Sequence, residues 1–228
     1  MKVISWNLLR LTGAAVEDVA ELATREKPDL LLLQEATKHI EALPTLIGGH
    51  FHRLSWLGRV HGLGVWSQHR LPRPRALSLP ASRLPGRLPR RRAQIVQLDD
   101  ISFANVHLSH GQLLNRRQLA RIATAFHGKP SAIIGDFNMV GPVLLPGFDD
   151  VGPREATHFA SNVVPFRLDR CLVHGLSCAA SDALDFGPSD HRPIRLELSL
   201  AEGWGLERSA ASRGRPQPRR DRLGRLYR

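Results

Sequence analysis

Apolar and polar positions recur along most of this chain with periods that separate strands from helices. Val3 to Trp6 is a short β-prone run and predicts a first strand. Residues 15–26 set Val16, Val19, Ala20, Leu22 and Ala23 at helical spacing with acids on the opposite face, and Pro28 stops the predicted helix. Leu30 to Leu33 is continuously apolar, as expected of a strand buried on both faces. Gly62 to Ser67 predicts a third strand, and residues 70–92, rich in Pro and Arg, read as a loop with weak extended pieces. A hairpin follows, with Ala93 to Leu98 and Ile101 to Leu108 joined by a turn at Asp99-Asp100. Residues 112–127 predict a second amphipathic helix with Leu119, Ile122, Ala123 and Phe126 inward, closed by Gly128 and Pro130. Ala132 to Ile134 is another buried strand, 141–153 a Pro/Gly-rich loop, and Phe166 to Val173 and Pro193 to Leu200 the last two strands. Past Trp204 the pattern dissolves. This mixed order of strands and helices argues for an α/β domain over 1–205, with 206–228 a basic, disordered tail.

Composition narrows the class. The 228 residues hold no apolar run near the ~18 that a membrane span needs. The start lacks the basic-then-apolar pattern of a secretory signal, so a cytoplasmic protein without membrane contact is expected. Cys171 and Cys178 make neither a disulfide framework nor a zinc site and are read as reduced and structural. The net charge of +11 is unevenly spread. Residues 70–92 carry eight arginines and no acid, and 206–228 carry eight more against Glu207 and Asp221. Two such segments suit a polyanionic partner, nucleic acid above all. Arginine also outnumbers lysine 28 to 4 overall, which would charge any loop, so that reading stays open here. Oligomeric state is not readable.

Candidate chemistry gathers at the ends of the predicted strands. Asn7 follows the first, Gln34 and Glu35 the second, His107 and His110 the hairpin, Asp136 and Asn138 the strand at 132–134, and Asp190 and His191 precede the last. Each alone could be a cap, a turn residue or a core histidine. Recurrence at strand end after strand end is what a scaffold presenting a site produces.

The motifs Trp6-Asn7, Gln34-Glu35, Asn105-Val-His107, Gly135-Asp136-Phe-Asn138, Arg167-Leu-Asp169 and Ser189-Asp190-His191 occur in the order shown by endonuclease/exonuclease/phosphatase proteins, which the chain resembles from residue 3 to about 198. That superfamily includes pancreatic-type deoxyribonucleases, abasic-site endonucleases, tyrosyl-DNA phosphodiesterase, neutral sphingomyelinases and inositol-phosphate phosphatases. The resemblance implies a four-layer α/β sandwich: two mixed β-sheets packed face to face, flanked by helices, with the site at one end. It also implies a Mg²⁺-dependent phosphoesterase, Mn²⁺ being the alternative ion. Glu35, aided by Asn7 and Asp190, would hold the metal through oxygen. Asp136 would orient and deprotonate water, while Asn138 and His107 donate to the phosphate oxygens. His191 matches the histidine on the scissile phosphate and Asp169 its carboxylate partner.

The tyrosine motif usual in abasic-site endonucleases is replaced here by Asn105-Val-His-Leu-Ser-His110, and the sole tyrosine is Tyr227. The expectation is therefore phosphodiester hydrolysis in nucleic acid, by a nuclease or DNA-end phosphodiesterase. His110, Arg92 and Phe159 are substrate-binding candidates, Phe159 by stacking on a base or sugar. The alternatives are a small-molecule or lipid-headgroup phosphoesterase and a non-catalytic nucleic-acid-binding relative.

Overall fold

Strand β1 (Lys2–Asn7) shows how the sequence divides its side chains between layers: Val3 enters the core between two sheets, and Ile4 and Trp6 the core beneath helices. Successive strand residues face opposite ways, so one short strand feeds both. The computed structural model describes residues 1–10, 12–55, 59–82, 90–160, 164–185 and 187–204. The predicted tail 206–228 and residues 83–89 of the arginine-rich loop lie outside the described residues.

After β1 come α1 (Val16–Glu26), β2 (Leu30–Thr37), a 3₁₀ turn (Lys38–Ala42), α2 (Leu43–Ile47), β3 (His50–Leu54), β4 (His61–Ser67) and β5 (Arg75–Ser78). The hairpin β6 (Arg92–Leu98) and β7 (Ile101–His107), α3 (Gln112–Phe126) and β8 (Ser131–Asp136) follow. The chain closes with β9 (Asp149–Asp150), β10 (His158–Ala160), β11 (Val164–Phe166), β12 (Asp169–His174), β13 (Leu176–Ala183) and β14 (Ile194–Leu200).

One sheet runs β13-β14-β1-β2-β4-β3 and the other β5-β6-β7-β8-β12-β9, with β10-β11 a separate ribbon. Both large sheets are mixed: β1–β2 and β7–β8 are parallel, the remaining pairs antiparallel. Val3, Leu30, Leu32, Val96, Phe103, Ile134, Val173 and Leu196 pack between the sheets. Leu31 and Leu33 turn outward under Val19, Leu22 and Ala23 of α1. Ala104, Val106 and Ile133 turn outward under Leu119, Ile122 and Phe126 of α3. These layers, helix–sheet–sheet–helix, are the predicted sandwich. At α1 the Asp18 carboxylate accepts the Ala15 amide at 2.7 Å, satisfying a donor at the helix start.

Three sequence expectations need correction. The run 62–67 is the fourth strand, because His50–Leu54, half-buried and polar in composition, pairs beside it as an edge. The predicted strand 166–173 is two strands interrupted at Arg167-Leu168, where the Arg167 guanidinium grips Asp150 through two bonds of 2.7 and 2.8 Å. The Leu168 and Asp169 amides both donate to Thr157 Oγ1 there, at 3.1 and 2.9 Å. Finally, β13 has small and polar residues of weak strand preference, and its pairing with β14 makes it a strand. Cys171 is buried, Cys178 half-buried, and both are free thiols.

Candidate active site

Toward one end of the sandwich the inter-sheet core turns from apolar to polar. Gln34 donates to Ser5 Oγ at 3.0 Å and to Asn105 Oδ1 at 2.8 Å. Asn105 in turn donates to the carbonyls of Leu33 and Gly64 and to Gln94 Oε1, at 3.1, 2.9 and 3.2 Å. This network crosslinks the two sheets just beneath the polar cluster, so side chains from both are held in fixed register.

Asp136 stands at its centre, 1% exposed at the end of β8. Its Oδ2 accepts the side-chain amides of Asn7 and Asn138, both at 3.0 Å, and its Oδ1 accepts the Asn138 main-chain N–H at 2.8 Å. Gly135, the residue before Asp136, lets β8 lie close against β7. Its φ is +140°, and a Cβ there would lie 2.1 Å from the Val106 carbonyl oxygen. Burial pushes the Asp136 carboxyl up to about 6, against the pull of the nearby His191 charge.

His191 belongs to the segment before β14, with Trp6 Nε1 donating to its carbonyl at 2.9 Å. Ser189 Oγ donates to the Asn7 carbonyl at 2.6 Å and accepts the His191 amide at 3.1 Å, tying this segment to β1. His191 Nδ1 is 2.7 Å from Asp169 Oδ2, both side chains being buried. Burial alone would lower the His191 pKa, but Asp169, then Asp136 and Asp190, raise it to about 10. The ring is therefore an imidazolium at neutral pH.

Glu35 follows a different local device. Between Leu33 and Ala36 the β2–β4 register shifts at a bulge, and Glu35 there has φ of +54°, a left-handed conformation rare for its type. The bulge turns the carboxylate out of the strand, where Oε2 accepts the Arg10 amide at 3.2 Å. Asn138 (φ +49°) and Leu9 (φ +48°) adopt the same backbone region around the site. His107 bridges the groups: its Nδ1 is 3.9 Å from Glu35 Oε1 and its Nε2 3.4 Å from Asp136 Oδ2. Burial, aided by the charge of Arg91, holds its pKa well below 6.5, so it is a neutral donor.

The structure thus brings Asn7, Glu35, His107, Asp136, Asn138, Asp169 and His191 together. Both Asn138 amide hydrogens are engaged, by Asp136 and by the Leu108 carbonyl at 3.2 Å, so the residue orients Asp136. Asp190 lies on the His191 side, with Oδ2 3.7 Å from His158 Nδ1. Phe159 sits half-buried in β10, its amide donating to the Asp190 carbonyl at 3.2 Å. His110 is exposed beyond β7, and Arg92 opens β6 opposite Ser78. Sequence reasoning missed His158, whose ring lies 4.4 Å from that of His191. It also missed Arg91, one position before Arg92, whose charge acts on Asp136 and Glu35. His158 had a usable signal, its place just before the Arg167-Leu-Asp169 motif. Nothing in a run of three arginines distinguishes the middle one.

The model of the endonuclease/exonuclease/phosphatase family matches residues 4–191. The chain belongs to that family. Family members are generally hydrolases of phosphate esters and usually depend on a divalent metal. Among solved structures, a conserved protein of unknown function from Enterococcus faecalis V583 is similar at 19% identity and a TM-score of 0.74, covering 88% of this chain and 100% of that one. A humanized Danio rerio TDP2 is similar at 15% identity and 0.67, covering 88% and 99%. The mannosyl-6-phosphatase Bt3783 of Bacteroides thetaiotaomicron is similar at 16% and 0.66, covering 88% and 100%. The search of curated protein sequences gave no match. At these identities the structural likeness speaks for the fold.

The residues fit the family's divalent cation. Glu35, the Asn7 amide oxygen and Asp190 are hard oxygen donors, and Asp190 Oδ1 is buried with no hydrogen-bond partner among the described residues. His158, Asp190 and His191 also bring their ligand atoms within 4.8 Å of one another. His191, protonated and bound to Asp169, has no lone pair to offer, which leaves His158 and Asp190 of that trio.

Proposed function

We propose that the chain is a divalent-metal phosphodiesterase that cleaves phosphodiester bonds in nucleic acid. The observation that carries the chemistry is the buried pairing of opposites: Asp136, titrating near 6, beside an imidazolium at His191 held by Asp169. A base poised near neutrality and a fixed cation are the two things a phosphate ester demands of a protein. Asp136, steadied by Asn7 and Asn138, orients the attacking water and takes its proton. His191 donates to a non-bridging oxygen, and neutral His107 adds a second donor as charge builds on phosphorus. Glu35, with Asn7 and Asp190, would hold a Mg²⁺ ion, whose chemistry is to polarise the phosphate and stabilise the leaving oxygen.

The nucleic-acid substrate is supported by the arginine-rich segments 70–92 and 206–228 and by arginines converging on the site. Arginine contacts phosphates without reading bases, so preference for an end or a structure is expected over base specificity. The test is a Mg²⁺-dependent panel of DNA, RNA, abasic DNA, nucleotides, sugar and inositol phosphates, and sphingomyelin. Hydrolysis of polynucleotide diesters at least tenfold above any small phosphomonoester is expected. Preference for a sugar phosphate, the kind of substrate named by the Bacteroides neighbour, would overturn the nucleic-acid reading and leave the chemistry standing.

A further inference from the structure

Glu35 also borders an open cavity of about 830 Å³, whose wall carries Arg10, Lys38, Arg53 and Arg59 with apolar Leu8 and Val16. Arg53 is neutralised by Glu41 at 2.6 Å. Arg10 reaches Glu35 only at 4.0 Å, with its side chain half exposed. Arg91 approaches from the other sheet, just before β6, where its carbonyl accepts the Leu79 amide at 3.1 Å. Arg91 is half-buried, and its Nε is buried with no hydrogen-bond partner among the described residues. Burial and repulsion by Arg59 and Arg10 depress the Arg91 pKa, against attraction by Asp136 and Glu35. All three arginines act on one side chain, His61 at the start of β4, which is 7% exposed and has an Nδ1 without a partner among the described residues.

Three guanidiniums acting on an imidazole whose Nδ1 has no partner among the described residues are a costly arrangement, offset in part by Glu35. Of the two carboxylates within their reach, Asp136 is taken up by its amides, and Glu35 accepts the Arg10 amide at 3.2 Å and meets the Arg10 guanidinium only at 4.0 Å, so one carboxylate faces three cations. What the cluster lacks is an anion with several acceptor oxygens, and planar guanidiniums match phosphate well.

We propose that Arg10, Arg59 and Arg91, with His61, form a second phosphate subsite on the Glu35 side of the catalytic centre, holding the phosphate next to the scissile one in a polynucleotide strand. This rests on the nucleic-acid reading above and refines it: the enzyme grips two successive phosphates. A substrate with one phosphate leaves the subsite unused.

The kinetic test compares a short DNA strand, the same strand with a neutral methylphosphonate at each flanking position in turn, and bis(4-nitrophenyl) phosphate, which has no second phosphate. Arg91→Gln should lose roughly tenfold more in kcat/KM on the strand than on the nitrophenyl diester, the value of a charged hydrogen bond. One methylphosphonate position should cost the wild type at least as much, and cost Arg91→Gln clearly less than it costs the wild type. Equal losses on both substrates, or a methylphosphonate penalty undiminished in the variant at every position, would overturn the subsite. Its fate is separable from that of the nucleic-acid reading. Inorganic phosphate titrated into metal-free protein should shift the His61 ring resonances saturably, an effect lost in Arg91→Gln and largely kept in Arg91→Lys. A wild-type His61 signal indifferent to phosphate would refute the subsite whatever the enzyme hydrolyses. Relieved of a poorly partnered buried cation, Arg91→Gln should melt no lower than the wild type in phosphate-free buffer, so a misfolded variant is recognised directly.

Discussion

Replacing Asp169 with asparagine removes the charge beneath His191 while keeping an acceptor for the ring. The carboxylate takes one 2.7 Å bond from His191 Nδ1 through Oδ2, which the amide oxygen of asparagine can take instead. Asp169 Oδ1 has no partner among the described residues, so the new NH₂ would occupy the less constrained position. What is lost is electrostatic. His191 titrates near 10 when folded, against an ordinary 6.5, and Asp169 is the largest of the influences that raise it. A buried carboxylate at this range contributes about 1–4 kcal/mol to the imidazolium. Because the folded protein holds this proton more tightly than the unfolded chain, the stabilisation is complete below pH 6.5 and disappears as pH rises through about 10. Urea unfolding of metal-free wild type should therefore show stability falling between pH 6.5 and 10, and Asp169→Asn should flatten that fall. The His191 ring, followed by NMR, should titrate at lower pH in the variant. The His191 charge draws the Asp136 carboxyl down more than the Asp169 charge pushes it up, so losing both should leave Asp136 titrating higher than in the wild type and lower turnover at neutral pH. A wild-type stability flat from pH 6.5 to 10, or a variant whose His191 still titrates near 10, would refute the reasoning.

Asp136→Asn should cut turnover by roughly 10²–10⁴, measured at saturating substrate, with substrate binding little changed; near wild-type turnover would exclude it as the base. Glu35→Gln should weaken Mg²⁺ binding roughly tenfold or more by calorimetry, without a change in the far-ultraviolet spectrum. Asp150→Asn should destabilise the fold by about 3–5 kcal/mol, because Arg167 and Arg170 both close on that carboxylate, at 2.7 and 3.0 Å. Burial opposes the ionised Asp150, but the two arginines hold its pKa below 3.8, so this contribution should fade only as acid protonates it. A chain ending at Gly205 should bind polynucleotide more weakly at low salt and with a shallower salt slope than the full chain, since up to eight phosphate contacts are removed; identical slopes would deny the tail a binding role.

Much of the sandwich was legible because its strands and helices declare themselves locally. Leu30–Leu33 is apolar at every position because its residues alternate between the inter-sheet core and the core under α1. The spacing of Leu119, Ile122 and Phe126 gave α3 its buried face. Strands β3 and β13 were not legible, since their polar and small residues become strands only when β4 and β14 offer a hydrogen-bonding edge. Residue types at strand ends named the groups that meet at Asp136, because phosphate chemistry calls on carboxylates, amides and imidazoles, and strand ends are where a scaffold presents them.

The protonation states and aims of those groups were decided by tertiary structure alone. Asp136 and Asp190 are the same residue type near strand ends, yet Asp136 is fully buried and Asp190 only partly so; burial drives the Asp136 carboxyl up to about 6. His107 and His191 are both buried, but His107 stays neutral beside Arg91 while His191 is charged over Asp169. Arg91 and Arg92 are indistinguishable in the chain, and it is Arg91 whose charge reaches Asp136 and Glu35. The sequence supplies an ionisable group and its place along a strand. Its charge depends on desolvation and on partners brought close by folding, His191 meeting Asp169 across 22 residues and Asn7 meeting Asp136 across 129.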